Sequence, residues 1–257
     1  MTGVTTVGGF AVHQAAFFST HHASATDALT GRERPFTPPA YGLLVGRARR
    51  FTSLVTQMHV EVCGALRLDA GDPPMTVFAT REGEIQTAEK LIADFRDARM
   101  VSSARFALSV HNTAAGVYSV ATGSHAAATT VTGENAVAAG WLEAVLTALD
   151  ADRPVLLSIA DEPLPAAFRG PRGATGVAAA FLLAPLVRQP GSAGGRGAML
   201  AITPRADAAP GDAADPVHVL ARAARAAWRG DHRAVWLGCL QPGAALELSP
   251  PPEDALA

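Results

Sequence analysis

The residues best suited to chemistry in this 257-residue chain are acidic, and they fall where extended segments run out. Three short stretches carry them: Thr80-Arg81-Glu82-Gly83-Glu84, Ser109-Val110-His111-Asn112 and Thr132-Gly133-Glu134-Asn135. Open α/β sheets build their sites beyond the carboxyl ends of strands, so all three are candidates. The third has the sharpest geometry. A β-branched run meets a glycine and turns at once into an alanine-rich segment, which throws out the next side chain beside the unpaired N–H groups of a helix N-terminus. Hydrolases and acyltransferases carry their nucleophile at such a turn; here the position holds Glu134. A carboxylate kept near neutrality by an apolar pocket is a general acid/base. In that setting Glu134 works with His111, while Asn112 orients a carbonyl and Glu84 and Asn135 complete the binding surface. Each of these residues also has an ordinary role open to it. Glu134 is equally a helix-start carboxylate worth roughly 0.3–1 kcal/mol, His111 a core or capping histidine, and Asn112 the cap of the following helix. The Arg81–Glu84 turn can be a solvated helix start, and Asp161-Glu162-Pro163 a loop closing the sheet edge.

The elements that must position these residues follow from hydrophobic periodicity. Residues 4–18 are apolar and β-branched around Gly8-Gly9, which reads as a bent first strand. A Pro-containing loop spans 19–44. From Val45 to about Leu68, Ala48, Phe51, Leu54, Val55, Met58, Val62 and Ala65 recur at three- and four-residue steps, predicting one amphipathic helix. Arg47, Arg49 and Arg50 then fall at its start, where the dipole disfavours cations, and must find other partners. Met75–Thr80 is a buried strand, and Glu82–Met100 a helix with Ile85, Ala88, Leu91, Ile92 and Phe95 on one face. Residues 103–122 read as a short extended stretch and a small-residue helix. A strand at Ala127–Thr132, a helix to about Leu149 and a buried strand at Pro154–Ala160 come next. The alternation predicts a mostly parallel sheet with helices on both faces. Gly176–Leu186 and Ala198–Thr203, joined by the Pro/Gly/Ser-rich residues 187–197, read as an antiparallel hairpin. After a linker at 204–215 come a helix at Val217–Arg229, a strand at Ala234–Leu240, a short strand at Ala245–Leu248 and a flexible Pro-rich tail from Pro250.

Composition narrows the function. Hydrophobic residues make up 49% and charged residues 17%, and the net charge is −2, which gives no global drive toward nucleic acid or an anionic membrane. No apolar run reaches a bilayer-spanning length, and no basic region precedes an apolar stretch at the N-terminus; a cytoplasmic protein is expected. Lys90 is the only lysine, so an imine-forming amine has one candidate. Two cysteines, Cys63 and Cys239, build neither a disulfide framework nor a cysteine-rich metal site, and His21-His22 and His125 are poorly spaced for zinc. No metal is expected. The Gly-rich stretch at 191–197 lacks the lysine of a phosphate loop.

The stretch FALSVHNTAAGVYSVATGSHAAATTVTGENAVAAGWLEAVLTAL, followed by PVLLSIADEPLP and GVAAAFLLAPL, resembles the N-terminal half of β-ketoacyl synthases. The resemblance spans roughly residues 4–205 and is most specific over 75–165, including REGE and SVHN. It implies a thiolase-like α/β half with a mixed, mostly parallel five-stranded sheet covered by helices, followed by the hairpin and an extra helix and strand. Residues 1–205 would form that domain, 206–249 an extension packed on it and 250–257 a tail. By register, the nucleophilic cysteine of such enzymes falls on Glu134. The second half, with its two histidines, has no counterpart. Condensation needs a thiolate to hold one acyl chain, so ordinary ketosynthase activity is not expected. The resemblance instead implies an accessory protein of fatty-acid or polyketide synthesis, of the aryl-polyene kind or another. It would bind an acyl carrier protein or a ketosynthase subunit, with no cofactor of its own beyond a partner's phosphopantetheine-linked acyl group. Arg47, Arg49 and Arg50 would meet that phosphate or the carrier's acidic surface. The strand before Glu134 would pair across a dimer axis, making a homodimer. Two other readings stay open: an enzyme acting on acyl thioesters by decarboxylation, dehydration or isomerisation through Glu134 and His111, and a small-molecule binding protein.

Overall fold

The computed structural model describes residues 5–168, 174–186, 197–204, 216–229, 235–241 and 244–249. Eight strands form one mixed sheet: β1 (Thr5–Ser19), β2 (Met75–Thr80), β3 (Ala128–Thr132), β4 (Val155–Asp161), β5 (Val177–Pro185), β6 (Gly197–Pro204), β7 (Val235–Gln241) and β8 (Ala244–Ser249). Their spatial order is β3-β2-β4-β5-β1-β6-β8-β7. The helices are α1 (Ala25–Thr30), α2 (Gly46–Phe51), α3 (Leu54–Gly64), α4 (Ile85–Ala98), α5 (Ser103–Ala107), α6 (Thr113–Thr122), α7 (Ala136–Ala151) and α8 (Pro216–Arg229).

The strand pattern sorts side chains onto two cores, because successive residues of a strand face opposite ways. Val77 and Ala79 of β2, Leu157 and Ile159 of β4, and Ala179 and Phe181 of β5 join Trp141, Ala144 and Val145 of α7, with α8 beside them. Phe78, Leu156, Ala160, Ala178 and Ala180 point the other way, onto Met58 and Val62 of α3 and Tyr118 of α6. Small residues bring the first layer close. A Cβ placed on Gly140 would lie 2.6 Å from Ala79 Cβ, so α7 lies on β2 at a distance only glycine permits.

Five expectations about the fold need correction. The sheet has eight strands where the resemblance implies five. Parallel pairing is confined to β3–β2–β4; the other five strand pairs are antiparallel. The segments at 176–186 and 198–203 are both strands, but not a hairpin, because the 15-residue β1 lies between them and pairs with each. The length of β1 lets it serve both, its residues 10–19 pairing with β5 and 5–11 with β6. The helix expected over Val45–Leu68 is broken at Thr52-Ser53, where the Ser53 hydroxyl caps α3 by accepting from Thr56 N–H at 3.1 Å. Arg49 and Arg50 therefore sit in the last turn of α2, where the dipole favours cations. The extended stretch expected near residue 103 is instead α5, capped by Ser102. The connection at 187–196, the linker at 205–215 and the tail from Pro250 lie outside the described residues.

On α4 the apolar stripe is only half covered. Leu91 is buried, while Ile92 and Phe95 are 67% and 52% exposed. Met100, Val101 and Phe106 of the adjoining α4–α5 corner are also exposed.

Candidate site at the carboxyl edge of the parallel strands

The parallel strands end level with one another: Thr80 pairs with Thr132, and Ala79 with Ile159. Beyond them three turns meet. The β3–α7 turn bends at Gly133, whose φ of 111° is open to glycine at little cost. Glu134 follows, exposed, and Asn135 occupies the N-cap position of α7 without a side-chain capping bond. The turn is tied to the next one by Gly133 N–H donating to the Arg81 carbonyl at 3.3 Å. Gly83, at φ 58°, lies against His111: a Cβ there would sit 3.8 Å from His111 Cβ. The Arg81–Glu84 turn thus touches both the Glu134 turn and the His111 segment.

Asp161 holds that central turn. Its Oδ1 accepts from Arg81 N–H at 2.7 Å and from the Thr80 hydroxyl at 3.0 Å, and the Thr80 hydroxyl in turn accepts from Gly83 N–H. Asp161 Oδ2 and Arg81 Nε are buried with no hydrogen-bond partner. Burial pushes the Asp161 carboxyl up to about 6, against the lowering effect of the Arg81 and Glu82 N–H groups and the Arg81 charge.

Next to it lie two more carboxyls, each 5% exposed. Glu162 accepts from Gln86 N–H at 2.9 Å and Val55 N–H at 3.3 Å, and so caps α4 and α3 at once. Glu84 accepts from the hydroxyls of Ser53 at 2.8 Å, Thr56 at 2.6 Å and Thr87 at 3.1 Å. Burial raises both; for Glu162, pushed up to about 7, the adjacent Glu84 charge adds to the rise.

The structure places the sequence-derived candidates as follows. His111, Asn112 and Glu134 are exposed, and Asn135 half-buried, at this edge. His111 is thus not a core histidine, and it follows α5 and a turn rather than a strand. Asn112 stands at the N-cap of α6 without a side-chain cap bond. Glu84 is not a solvated helix-start carboxylate but a buried one. The pocket that would make Glu134 a base is not formed by the described residues, because its side chain is open to solvent. Arg47 and Arg50 are exposed, Arg47 lying 5.3 Å from the Phe51 ring centre. Arg49 turns inward to Glu61 at 3.3 Å and to the Pro39 carbonyl. Cys63 is buried in α3 with its thiol pushed up to about 12 by burial, which keeps it protonated and unreactive. Cys239 lies in β7. His59, buried and lowered to about 3 by burial, holds Ser158 Oγ at 2.9 Å and is a neutral core histidine. No group of three or more His, Cys, Asp or Glu side chains among the described residues could hold a metal ion. No helix among them is long and apolar enough to cross a membrane.

The sequence reading of Asp161-Glu162-Pro163 as a loop closing the sheet edge needs correction: Asp161 is the last residue of β4, a strand buried on both faces, and Glu162 follows it into the interior.

A mixed sheet between two helical layers, with a strand-to-helix elbow at the carboxyl edge of its parallel strands, defines a thiolase-like domain of the ketosynthase type. The family described as "Beta-ketoacyl synthase, N-terminal domain" matches residues 28–236, and the chain belongs to that family. Solved structures agree in fold. One is the ketosynthase ApeO in complex with its chain length factor ApeC from Xenorhabdus doucetiae, with a TM-score of 0.71 at 15% identity over 95% of this chain and 99% of that chain. Another is AntDE:AntF, a type II acyl-carrier protein in complex with its ketosynthase bound to the hexaketide, with a TM-score of 0.66 at 11% identity over 94% and 98%. The ishigamide ketosynthase/chain length factor gives 0.52 at 14% identity over 80% and 65%. No curated protein sequence matches the chain.

Proposed function

We propose that this chain is a non-condensing partner subunit of a fatty-acid or polyketide ketosynthase system, acting in the cytoplasm. One observation carries the reading: the elbow that would present a thiolate presents the exposed carboxylate of Glu134, while Cys63 is locked in the core. A carboxylate is a poor acyl acceptor, and an anhydride formed on it would hydrolyse, so condensation has no nucleophile at the elbow. The structures of similar fold that span nearly all of this chain's length come from complexes of ketosynthases with a chain length factor or an acyl carrier protein, which supports a role in assembly.

Two surfaces suit such a role. The uncovered α4–α5 corner and β3, an edge strand with free backbone groups, each suit pairing with a ketosynthase subunit or a second copy of this chain. Arg47 and Arg50, exposed beside Phe51, suit an acidic carrier domain or the phosphate of its phosphopantetheine arm. Co-expression with a ketosynthase of the same pathway tests the reading: a complex should survive gel filtration, and this chain alone should release no β-ketoacyl product from malonyl-carrier protein. Product from the chain alone overturns the proposal.

A further inference from the structure

We propose that Glu84 and Glu162 share one proton, residing on Glu84, and that this pair is a pH-sensitive clasp between the α2–α3 corner and the turn beneath the elbow. The inference is independent of the functional reading above. Both carboxyls are buried, and they grip the same two stretches. Glu162 takes Val55 N–H and Gln86 N–H, while Glu84 takes the hydroxyls of the flanking Thr56 and Thr87, and of Ser53. Two negative charges so placed repel across a site with little water to screen them.

The surroundings offer little compensation. Lys90, one turn into α4, is exposed. Asp161 adds a third carboxyl next in the chain, and the Arg81 N–H and charge act on Asp161. The first turn of α3 contributes hydroxyls and N–H groups but no charge.

Hydrogen-bond chemistry decides where the proton sits. Backbone N–H groups only donate, so Glu162, held by two of them, must stay an acceptor on both oxygens. Hydroxyls donate or accept, so the cage around Glu84 reorients to receive a proton from it. Protonated Glu84 donates to a hydroxyl oxygen and keeps acceptor capacity for the others. When that proton leaves as pH rises, the like charges push apart Ser53–Thr56 and Glu84–Thr87, and the clasp loosens.

Glu84→Gln and Glu162→Gln separate the roles. A glutamine at 84 has one donor and one acceptor arm and copies the protonated acid. Its melting temperature should match the parent near pH 5.5, exceed it by several degrees at pH 8 and fall less than the parent's between them, the remaining fall belonging to Asp161. Glutamine at 162 turns an NH2 toward a backbone N–H and should melt lower at every pH. Amide protection factors of residues 53–57 and 84–87, in which the intrinsic base catalysis of exchange is divided out, should fall in the parent between pH 6 and 8, and not in Glu84→Gln. The proposal is overturned if Glu162→Gln is the stabilising variant, if Glu84→Gln keeps the parent's full pH dependence, or if the protection factors of these segments in the parent do not fall with pH.

Discussion

Glu61 fastens a strap, and its removal gives a magnitude that can be worked from contacts. It is fully buried in α3, and its carboxylate accepts from the N–H groups of Tyr41, Gly42 at 2.8 Å and Leu44 at 2.9 Å, with Arg49 at 3.3 Å. Glu61→Ala strands these donors. Leu44 is buried and cannot be rehydrated in place, which costs about 1–3 kcal/mol. Tyr41 and Gly42 are exposed residues whose N–H groups regain water once the strap lifts, so each adds less than about 1 kcal/mol. Arg49, with 29% of its side chain exposed, loses a pair worth about 1 kcal/mol after screening. The sum is about 3–4 kcal/mol, a large share of a typical folding free energy. At about 2–4 °C per kcal/mol for a domain of this size, the melting temperature should fall by roughly 6–16 °C. Trypsin should also cut after Arg47 and Arg50 well before the core unfolds. Arg49→Ala is the control and should cost about 1 kcal/mol or less. A Glu61→Ala protein melting within a degree of the parent, or an Arg49→Ala loss equal to it, would refute the reasoning.

Other outcomes follow from the same contacts. Because burial raises Asp161 and the Glu84–Glu162 pair, the folded state holds protons that the unfolded chain has released; stability is greatest below about pH 4 and falls as pH rises through about 6 and 7. Denaturant midpoints from pH 5 to pH 8 should record a loss of about 4 kcal/mol, and a rise over that range contradicts the burial argument. Glu134→Cys should create a thiol that reacts with an aromatic disulfide reagent at neutral pH in the folded protein, while Cys63 reacts only on unfolding; a thiol at 134 as slow as Cys63 would remove the exposed elbow. Gly140→Ala forces a carbon to within 2.6 Å of Ala79 Cβ and should cost about 1–3 kcal/mol despite alanine's better helix propensity, read from urea midpoints. Ile92→Asp with Phe95→Asp should leave the fold's stability within about 1 kcal/mol of the parent yet abolish subunit pairing in ultracentrifugation; unchanged pairing would free the α4–α5 corner of that role.

All eight strands were legible because apolar and β-branched runs bounded by Gly and Pro leave little choice, as with PVLLSIA at 154–160. Partners in the sheet were not legible. Nothing local to 176–186 and 198–203 shows that β1 divides them; pairing is a long-range outcome of the length of β1. The elbow could be read from Thr132-Gly133-Glu134 because a single glycine with positive φ makes the turn. Burial of individual carboxylates could not. Glu84 and Glu134 look alike in sequence, each near a glycine at a helix start, yet one is sealed beneath Ser53 and Thr56 and the other stands in solvent. The difference comes from α3, which covers the β2 turn but not the β3 turn, and whose break from α2 at Thr52-Ser53 interrupts an otherwise continuous helical pattern.

The most direct measurement of the central claim is a radiolabelled malonyl-carrier condensation assay run with this chain alone, with a cysteine-bearing ketosynthase of its pathway alone, and with the two together after gel filtration. The account predicts co-elution, no β-ketoacyl product from this chain by itself, and product in the complex that survives Glu134→Gln. Product from this chain alone that disappears in Glu134→Gln would contradict it and make Glu134 a catalytic group.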